Sequence, residues 1–410
     1  MTPPRPSERV LALRLLGRWI KTARSPDEDP DWYEATPLTR ELVLTSLRNK
    51  SLLDAIIHHL SSRPPPLEFR PVLWIGLTQL LFLDGIADHA AVHETLEAAH
   101  KARFPKPLTG YANGLLRNVL RRRAELDTWI AAQPPHIRFS HPDLLFRRWR
   151  ETFGPETAES ICTWNQQRAS TFARFRAGNL PECTGGLDIA PTDFTGFFQL
   201  PRGMLPSSLP GFADGHWYIQ DPSTAIAPAM MRARPGERLL DACAAPGGKT
   251  ALLADTLKNG GAGLLALDPN PARLQRLREN LNRLRLSGVE AHCATMQDLR
   301  SEPFDGILLD VPCSNTGVLQ RRVDARWRFS RRTLNEVTAL QNELLDQATR
   351  HLKAGGRLVY STCSIEPEET TQQVRAWLQT HTGWRLEEEI LRLPGEQFTD
   401  GAYAARLLRG

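Results

Sequence analysis

What this chain lacks narrows its function first. No stretch reaches the roughly 20 apolar residues that a bilayer demands; the most apolar run, residues 72–83, carries Thr78 and Gln79 and reads as a buried helix. The apolar set over residues 10–20 is interrupted by Arg14 and Arg18, unlike the core of a secretion signal, so a cytoplasmic chain with no membrane partner is expected. Cysteine is sparse. The six residues Cys162, Cys183, Cys243, Cys293, Cys313 and Cys363 include no Cys-x-x-Cys pair, and no histidine pair completes a zinc set, so no metal site is expected. His89 and His93 share one helix face but have no third ligand nearby, and read as capping and surface residues. No nucleophile elbow or serine triad can be found, which removes the common hydrolase chemistries.

What is present is a globular composition. The 410 residues, 41% hydrophobic and 24% charged, suffice for two or three domains. The net charge is +5, and a pI near 9.0 favours anionic partners without proving nucleic-acid binding. Arginine carries most of the positive charge and clusters at Arg121, Arg122 and Arg123, at Arg147, Arg148 and Arg150, at Arg174 and Arg176, and over residues 321–332. A guanidinium fork grips phosphate bidentately, although any one cluster reads equally well as arginine replacing lysine on a solvated surface. The cluster at 321–332 stands out as an RNA contact because it follows an Asp-Val-Pro-Cys stretch and contains Trp327, a stacking platform for a base. Cys162, Cys183 and Cys293 read as small buried hydrophobes.

Taken in order, residues 1–130 repeat apolar positions at helical spacing: Val10, Leu13, Leu16 and Ile20, then Leu52, Leu53, Ile56, Ile57 and Leu60, then Leu73, Leu77, Leu80 and Leu81. With no alternating strand pattern, this is an all-α domain with its own core. Residues 131–215 open on Pro134-Pro135 as a linker, with two helices over 142–149 and 158–166, a strand over 172–176, and dense glycine and proline over 185–211. Over residues 216–410 strand and helix alternate. Strands are predicted over 238–242, 263–267, 289–293, 306–309 and 357–362, and helices over 271–286 and 334–352, which spells a mostly parallel, doubly wound α/β sheet.

This second half is organised around residues 239–250, where an apolar strand runs into Asp241-Ala242-Cys243-Ala244-Ala245-Pro246-Gly247-Gly248-Lys249-Thr250. Small residues and glycines let the turn's backbone approach a ligand, and the following helix offers unpaired N–H groups. A phosphate-binding P-loop would need glycine where this chain has Cys243, and Pro246 removes an N–H from such a cradle. An NTPase therefore remains an alternative, as does a non-catalytic RNA-binding factor built on the helical domain. Two later stretches, Asp310-Val311-Pro312-Cys313-Ser314 and Ser361-Thr362-Cys363-Ser364, each place a cysteine just past a predicted strand. Ligands bind at that edge of an open α/β sheet, so two thiols and a carboxylate converge on one crevice. Cysteine is intrinsically nucleophilic with a tunable pKa, so one thiol can add covalently to a substrate carbon and a second thiol or a base can then help the adduct collapse.

These three motifs, in this order, resemble the RNA cytosine-C5 methyltransferases of the RsmB/Nop/Sun family, and in particular its bacterial RsmB-type members, which act on 16S rRNA. The stretches over 89–95 and 111–120 resemble the NusB-like RNA-binding module that precedes the methyltransferase in those enzymes. The resemblance implies a Rossmann-like class I methyltransferase domain at 216–410 behind a NusB-like domain at 1–130, with a small ferredoxin-like, RNA-contacting region within 131–215. It implies S-adenosyl-L-methionine as cofactor and 16S rRNA as partner, at a cytosine of the 967 type, with a tRNA-directed relative as the alternative, and a monomer is expected. Cys243, Ala244, Ala245, Pro246, Gly247, Gly248 and Lys249 would wrap the amino-acid end of the cofactor, and Asp268 would take its ribose. Asp310 would lie near the cofactor and hold the cytosine near N3, with Lys249 adding positive charge. By family motif Cys363 is the attacking thiol and Cys313 assists product release; the physics of the sequence alone does not say which is which. The chain departs from the family at Ala294-Thr295, where an aspartate is usual, so that Thr295 or Asp298 takes over that contact, and at Ala402, where an aromatic is usual.

Overall fold

The computed structural model describes residues 7–176 and 189–410, and the chain folds as two compact units. One runs to Gln167 and also includes Leu319–Phe329; the other comprises Arg168–Val318 and Ser330–Gly410. Cys183 lies outside the described residues.

The N-terminal unit is helical, with its principal helices at Glu8–Thr22, Pro37–Arg48, Lys50–Leu60, Arg70–Phe82, Asp88–Lys101, Lys106–Arg121, Arg123–Ala131, Asp143–Phe153 and Pro155–Gln166. Arg70–Phe82 is apolar on every side and every residue from Pro71 to Leu80 is buried, as its sequence predicts. The amphipathic helices around it turn Leu16, Leu42, Ile56 and Leu116 inward. The unit continues past residue 130, and its last two helices bury Trp149, Ile161 and Cys162. Polar ties reinforce them: Ser140 Oγ accepts from the Ser51 N–H at 2.8 Å, and Gln166 Nε2 donates to the Arg48 carbonyl oxygen at 3.2 Å.

Leu319–Phe329 corrects one expectation from sequence. Arg326 is fully buried and donates to the carbonyl oxygens of Arg48 (3.4 Å), Ser140 (3.1 Å), Asn165 (3.3 Å) and Leu319 (3.1 Å). Arg48 and Asn165 stand in the last turns of their helices, where carbonyls lack intrahelical partners and the helix dipole is negative, so a guanidinium is drawn there. Trp327 Nε1 donates to the Leu47 carbonyl oxygen at 2.8 Å and Lys50 Nζ sits 5.0 Å from the centre of its ring. Arg322 pairs with Asp27 at 2.5 Å and Arg328 with Asp324 at 2.9 Å. The segment read as an RNA contact thus serves this unit's own core, and Trp327 is part of that packing instead of a free stacking surface. Arg176 is likewise engaged, with Asp255 at 2.8 Å, inside the C-terminal unit.

The C-terminal unit carries two sheets. β1 (Phe172–Phe175), β2 (Ala190–Pro191), β3 (Phe197–Gln199) and β4 (Trp217–Ile219) form a small antiparallel sheet in the order β2-β3-β1-β4. The main sheet comprises β5 (Leu239–Asp241), β6 (Leu264–Leu267), β7 (Glu290–His292), β8 (Phe304–Asp310), β9 (Leu352–Thr362), β10 (Trp384–Arg392) and β11 (Ala402–Arg409). Among the described residues its order is β10-β11-β9-β8-β5-β6-β7. The five strands from β9 to β7 are parallel, and β10 and β11 add an antiparallel edge. Buried strands such as Leu264–Leu267, covered on both faces, are continuously apolar. Outermost β7 is largely exposed, so Cys293, just beyond it, is exposed instead of buried, and its thiol points to the Pro269 carbonyl oxygen at 3.6 Å.

Candidate active site

Parallel strands all end on one side, so β5, β6, β8 and β9 deliver Asp241, Asp268, Asp310 and Cys363 to the same edge of the sheet. After β5 the chain makes a tight turn held by Ala242 N–H to the Leu308 carbonyl oxygen (2.9 Å), Ala244 N–H to that of Leu267 (2.8 Å) and Gly247 N–H to that of Ala244 (2.8 Å). Gly247 has φ of 106°, and a Cβ there would stand 2.6 Å from Leu277 Cδ1, so both the backbone and the space require glycine. The helix Gly248–Leu257 starts directly behind it.

Asp241 is completely buried; Thr250 Oγ1 donates to its Oδ2 at 2.7 Å while its Oδ1 has no partner among the described residues. Burial, reinforced by the negative charges of Asp310 and Asp268, pushes its pKa up to about 7. Asp268 accepts from the Asn270 N–H at 2.9 Å and faces Arg273 at 3.4 Å. Asn270, not Asp268, caps the following helix, accepting from the Ala272 and Arg273 N–H groups. Cys243 stands among the three carboxylates, and burial first, then Asp310, Asp241 and Asp268, push its thiol up to about 12, which leaves it unreactive. Thr295 Oγ1 donates to Asp298 Oδ2 at 2.6 Å, so the two candidates for the missing acidic contact form one exposed, hydrogen-bonded turn.

Lys249 Nζ meets Asp310 Oδ2 at 2.6 Å, and Ser361 Oγ donates to Asp310 Oδ1 at 2.7 Å. Burial alone would lower the lysine's pKa, but the Asp310 carboxylate outweighs it and the ammonium is held above its ordinary range. A P-loop lysine must be free to reach phosphates; this one is committed to a carboxylate. The two thiols, separated by fifty positions in the chain, come together: Cys313 Sγ and Cys363 Sγ are 3.1 Å apart. Cys363 also donates to Asn315 Oδ1 at 3.4 Å, and Asn315 Nδ2 donates to the Cys313 carbonyl oxygen at 3.0 Å. The contact with Cys313, then burial, raise the Cys363 thiol well above the ordinary cysteine range, with Lys249 pulling the other way. Behind Cys363 the backbones close up. Gly317 N–H donates to the Cys363 carbonyl oxygen at 2.9 Å, and a Cβ on Gly317 would stand 2.6 Å from that oxygen.

This arrangement has relatives. The family model described as 16S rRNA methyltransferase RsmB/F matches residues 228–407, and that of the NusB family matches residues 7–131. A ribosomal RNA small subunit methyltransferase B from Escherichia coli O7:K1 is 35% identical over 396 residues, covering 91% of this chain and 90% of that protein. The chain belongs to the RsmB/F family of 16S rRNA methyltransferases. Among solved structures, PH0851 aligns over 99% of this chain and 100% of its own, with a TM-score of 0.78 at 22% identity, which supports the fold. A methyltransferase homologue from Pyrococcus horikoshii aligns over 67% of this chain and 98% of its own, with a TM-score of 0.59 at 26% identity.

In this RsmB/F chain Cys313, Cys363, Asp310 and Lys249, singled out from the sequence, are brought into one contiguous group, with the turn at 243–249 alongside. Sequence reasoning missed Ser361, Asn315 and Glu369. Ser361 and Asn315 flank motif residues and carried no signal of their own. Glu369 sits in the run Glu366-Pro367-Glu368-Glu369, which reads as a solvated acidic turn, yet is fully buried.

Proposed function

We propose that this enzyme methylates carbon 5 of a cytosine in 16S rRNA, of the 967 type, in the cytoplasm, through a covalent bond between Cys363 and carbon 6. The observation that carries this reading is the 3.1 Å approach of two cysteine sulfurs at the ends of adjacent parallel strands, beside the Lys249–Asp310 pair. S-adenosylmethionine, when bound, supplies the electrophilic methyl group. The residues suit it: Asp241 Oδ1 is buried with no partner among the described residues, and Asp268, at the end of β6, is the acceptor proposed for the ribose.

The target base must leave its stack to reach the thiols. The Cys363 thiol, in contact at rest with Cys313 and Asn315 Oδ1, first loses its proton to water, and Lys249 favours the thiolate that remains. The sulfur adds at carbon 6, carbon 5 gains enamine character and takes the methyl group, and Asp310 holds the ring near N3. Cys313, ionised for this step by loss of its own proton to water, then receives the carbon-5 proton, and the C5–C6 double bond returns as the C6–S bond breaks and Cys363 leaves as the thiolate.

Cys363→Ala is expected to abolish methyl transfer, and Cys313→Ala to trap a protein–RNA adduct that survives denaturing gels. An adduct with Cys363→Ala instead would reverse the two roles. Isothermal titration compares S-adenosylhomocysteine with ATP and Mg²⁺, and preference for ATP would end the reading. Bisulfite sequencing of ribosomal and transfer RNA from a deletion strain identifies the nucleotide; methylcytosine lost only from tRNA would favour the tRNA alternative.

A further inference from the structure

Glu369 is a carboxylate with no solvent exposure, and the assigned chemistry does not use it. A buried carboxylate is strongly destabilising unless donors meet its oxygens. Its donors come from both cysteine loops. Ser314, next to Cys313, donates its N–H to Oε1 at 2.9 Å and its hydroxyl to Oε2. Ser364, next to Cys363, donates its hydroxyl to Oε2 at 2.6 Å. Gln341 Nε2, from the helix Arg331–Thr349, donates to Oε1 at 3.0 Å and to the Pro312 carbonyl oxygen at 2.9 Å. Tyr360 Oη donates to the Glu369 carbonyl oxygen at 2.8 Å and to Gln341 Oε1 at 3.0 Å. The two loops also meet directly, through Gly317 N–H to the Cys363 carbonyl oxygen, Ser364 Oγ against Ser314 Oγ (3.1 Å) and Thr316 Oγ1 (3.0 Å), and Ile365 N–H to Thr316 Oγ1 (3.1 Å); Glu369 adds to these a tie one residue beyond each sulfur, to the two oxygens of a single side chain.

We propose that Glu369 is a positioning residue whose carboxylate fixes the separation of the Cys313 and Cys363 sulfurs. An acceptor-only group suits the task, because backbone N–H, amide and hydroxyl donors all aim at it and none has to turn away. The catalytic consequence rests on the methyltransferase reading; the spacing itself does not. Misplacing reacting groups by about 1 Å costs on the order of a hundredfold in rate, which sets the scale expected.

Thiol chemistry gives a readout independent of methyl transfer. Diamide takes two electrons and two protons from the thiols and becomes the hydrazine as a Cys313–Cys363 disulfide forms, which mass spectrometry of the digested full-length protein quantifies. In Glu369→Gln, which keeps the size but reverses donors on one side, disulfide formation is expected to slow about tenfold or more, and kcat for RNA methylation to fall comparably. The Kd for S-adenosylhomocysteine should stay within about twofold, because the clamp does not touch the Gly247 turn. Ser364→Ala, which removes one donor to Oε2 together with the acceptor of the Glu366 N–H, should slow both in the same direction and serves if Glu369→Gln does not fold. Wild-type disulfide kinetics in the folded variants would overturn the proposal and leave the methyltransferase reading intact. Slowed disulfide formation in a protein whose wild type transfers no methyl group would sink that reading and keep the clamp.

Discussion

Asp241 offers a test in which stability and ligand binding should move in opposite directions. Its ordinary pKa of 3.8 rises to about 7 in the folded chain, because the carboxylate is completely buried with only Thr250 and the nearby Lys249 to favour its charge, while Asp310 and Asp268 oppose it. A raised carboxyl pKa means that the folded state binds the proton more tightly than the unfolded one. Below about pH 4 the group therefore costs nothing, and stability is lost as pH climbs toward 7. With those two pKa values the loss amounts to about 2 kcal/mol at pH 5 and about 4 kcal/mol at pH 8. Asp241→Asn keeps an oxygen for the Thr250 hydroxyl and removes the charge. Urea unfolding of wild type and variant at matched pH should find the variant more stable, with its advantage growing by about 2–3 kcal/mol from pH 5 to pH 8. Affinity for S-adenosylhomocysteine should fall at the same time. A stability difference independent of pH, or a variant weaker than wild type at pH 8, would refute the reasoning.

Other substitutions test other parts of the molecule. Arg326→Met should remove the guanidinium from the carbonyl oxygens of Ser140, Asn165 and Leu319 and from that of Arg48, which keeps Gln166 Nε2, and destabilise the N-terminal unit by about 3–5 kcal/mol in urea unfolding; a loss below about 1 kcal/mol would show that those carbonyls are served by water. Gly247→Ala must accept a left-handed backbone and a 2.6 Å clash with Leu277, so a stability loss of about 1–3 kcal/mol and weaker S-adenosylhomocysteine binding by calorimetry are expected; undiminished affinity would mean that the turn does not hold the ligand. Cys363 should alkylate with iodoacetamide more slowly at pH 7 than an unhindered thiol, because its pKa is raised first by the contact with Cys313. Cys313→Ala removes that cause and should speed the reaction at neutral pH; a slower reaction would contradict it.

Much of the fold could be read from the sequence because its signals are local. Strands β5, β6 and β8 each show themselves as a short apolar run and β9 ends in one, whereas β7 has only Ala291 between two polar residues; the helix Arg70–Phe82 shows itself as a longer run. The hairpin of β10 and β11 was harder to read, because Trp384–Arg392 mixes charged and apolar residues along an edge, with Glu387, Glu388 and Glu389 in succession, and lacks the apolar run that marks a buried strand. The thiol pair was legible because two motifs each ended a strand. Glu369 was not, since its burial depends on donors brought from three separate elements, a relation that no residue pattern around it encodes. Arg326 failed for the same reason in reverse: a cluster of charge looks alike whether it faces a phosphate or the carbonyl ends of helices, and only the tertiary arrangement distinguishes them.

The excursion of Leu319–Phe329 out of the catalytic half of the chain bears on how such proteins can be dissected or recombined. Cutting after Gln167 would not yield two self-sufficient halves: the first would be missing an internal plug, and the second would trail an unsatisfied loop ending in Arg326, Trp327 and their neighbours. Any exchange of the helical half between relatives must carry that loop with it, so the two halves of this enzyme are bound to change together although most of the sequence between them could drift apart.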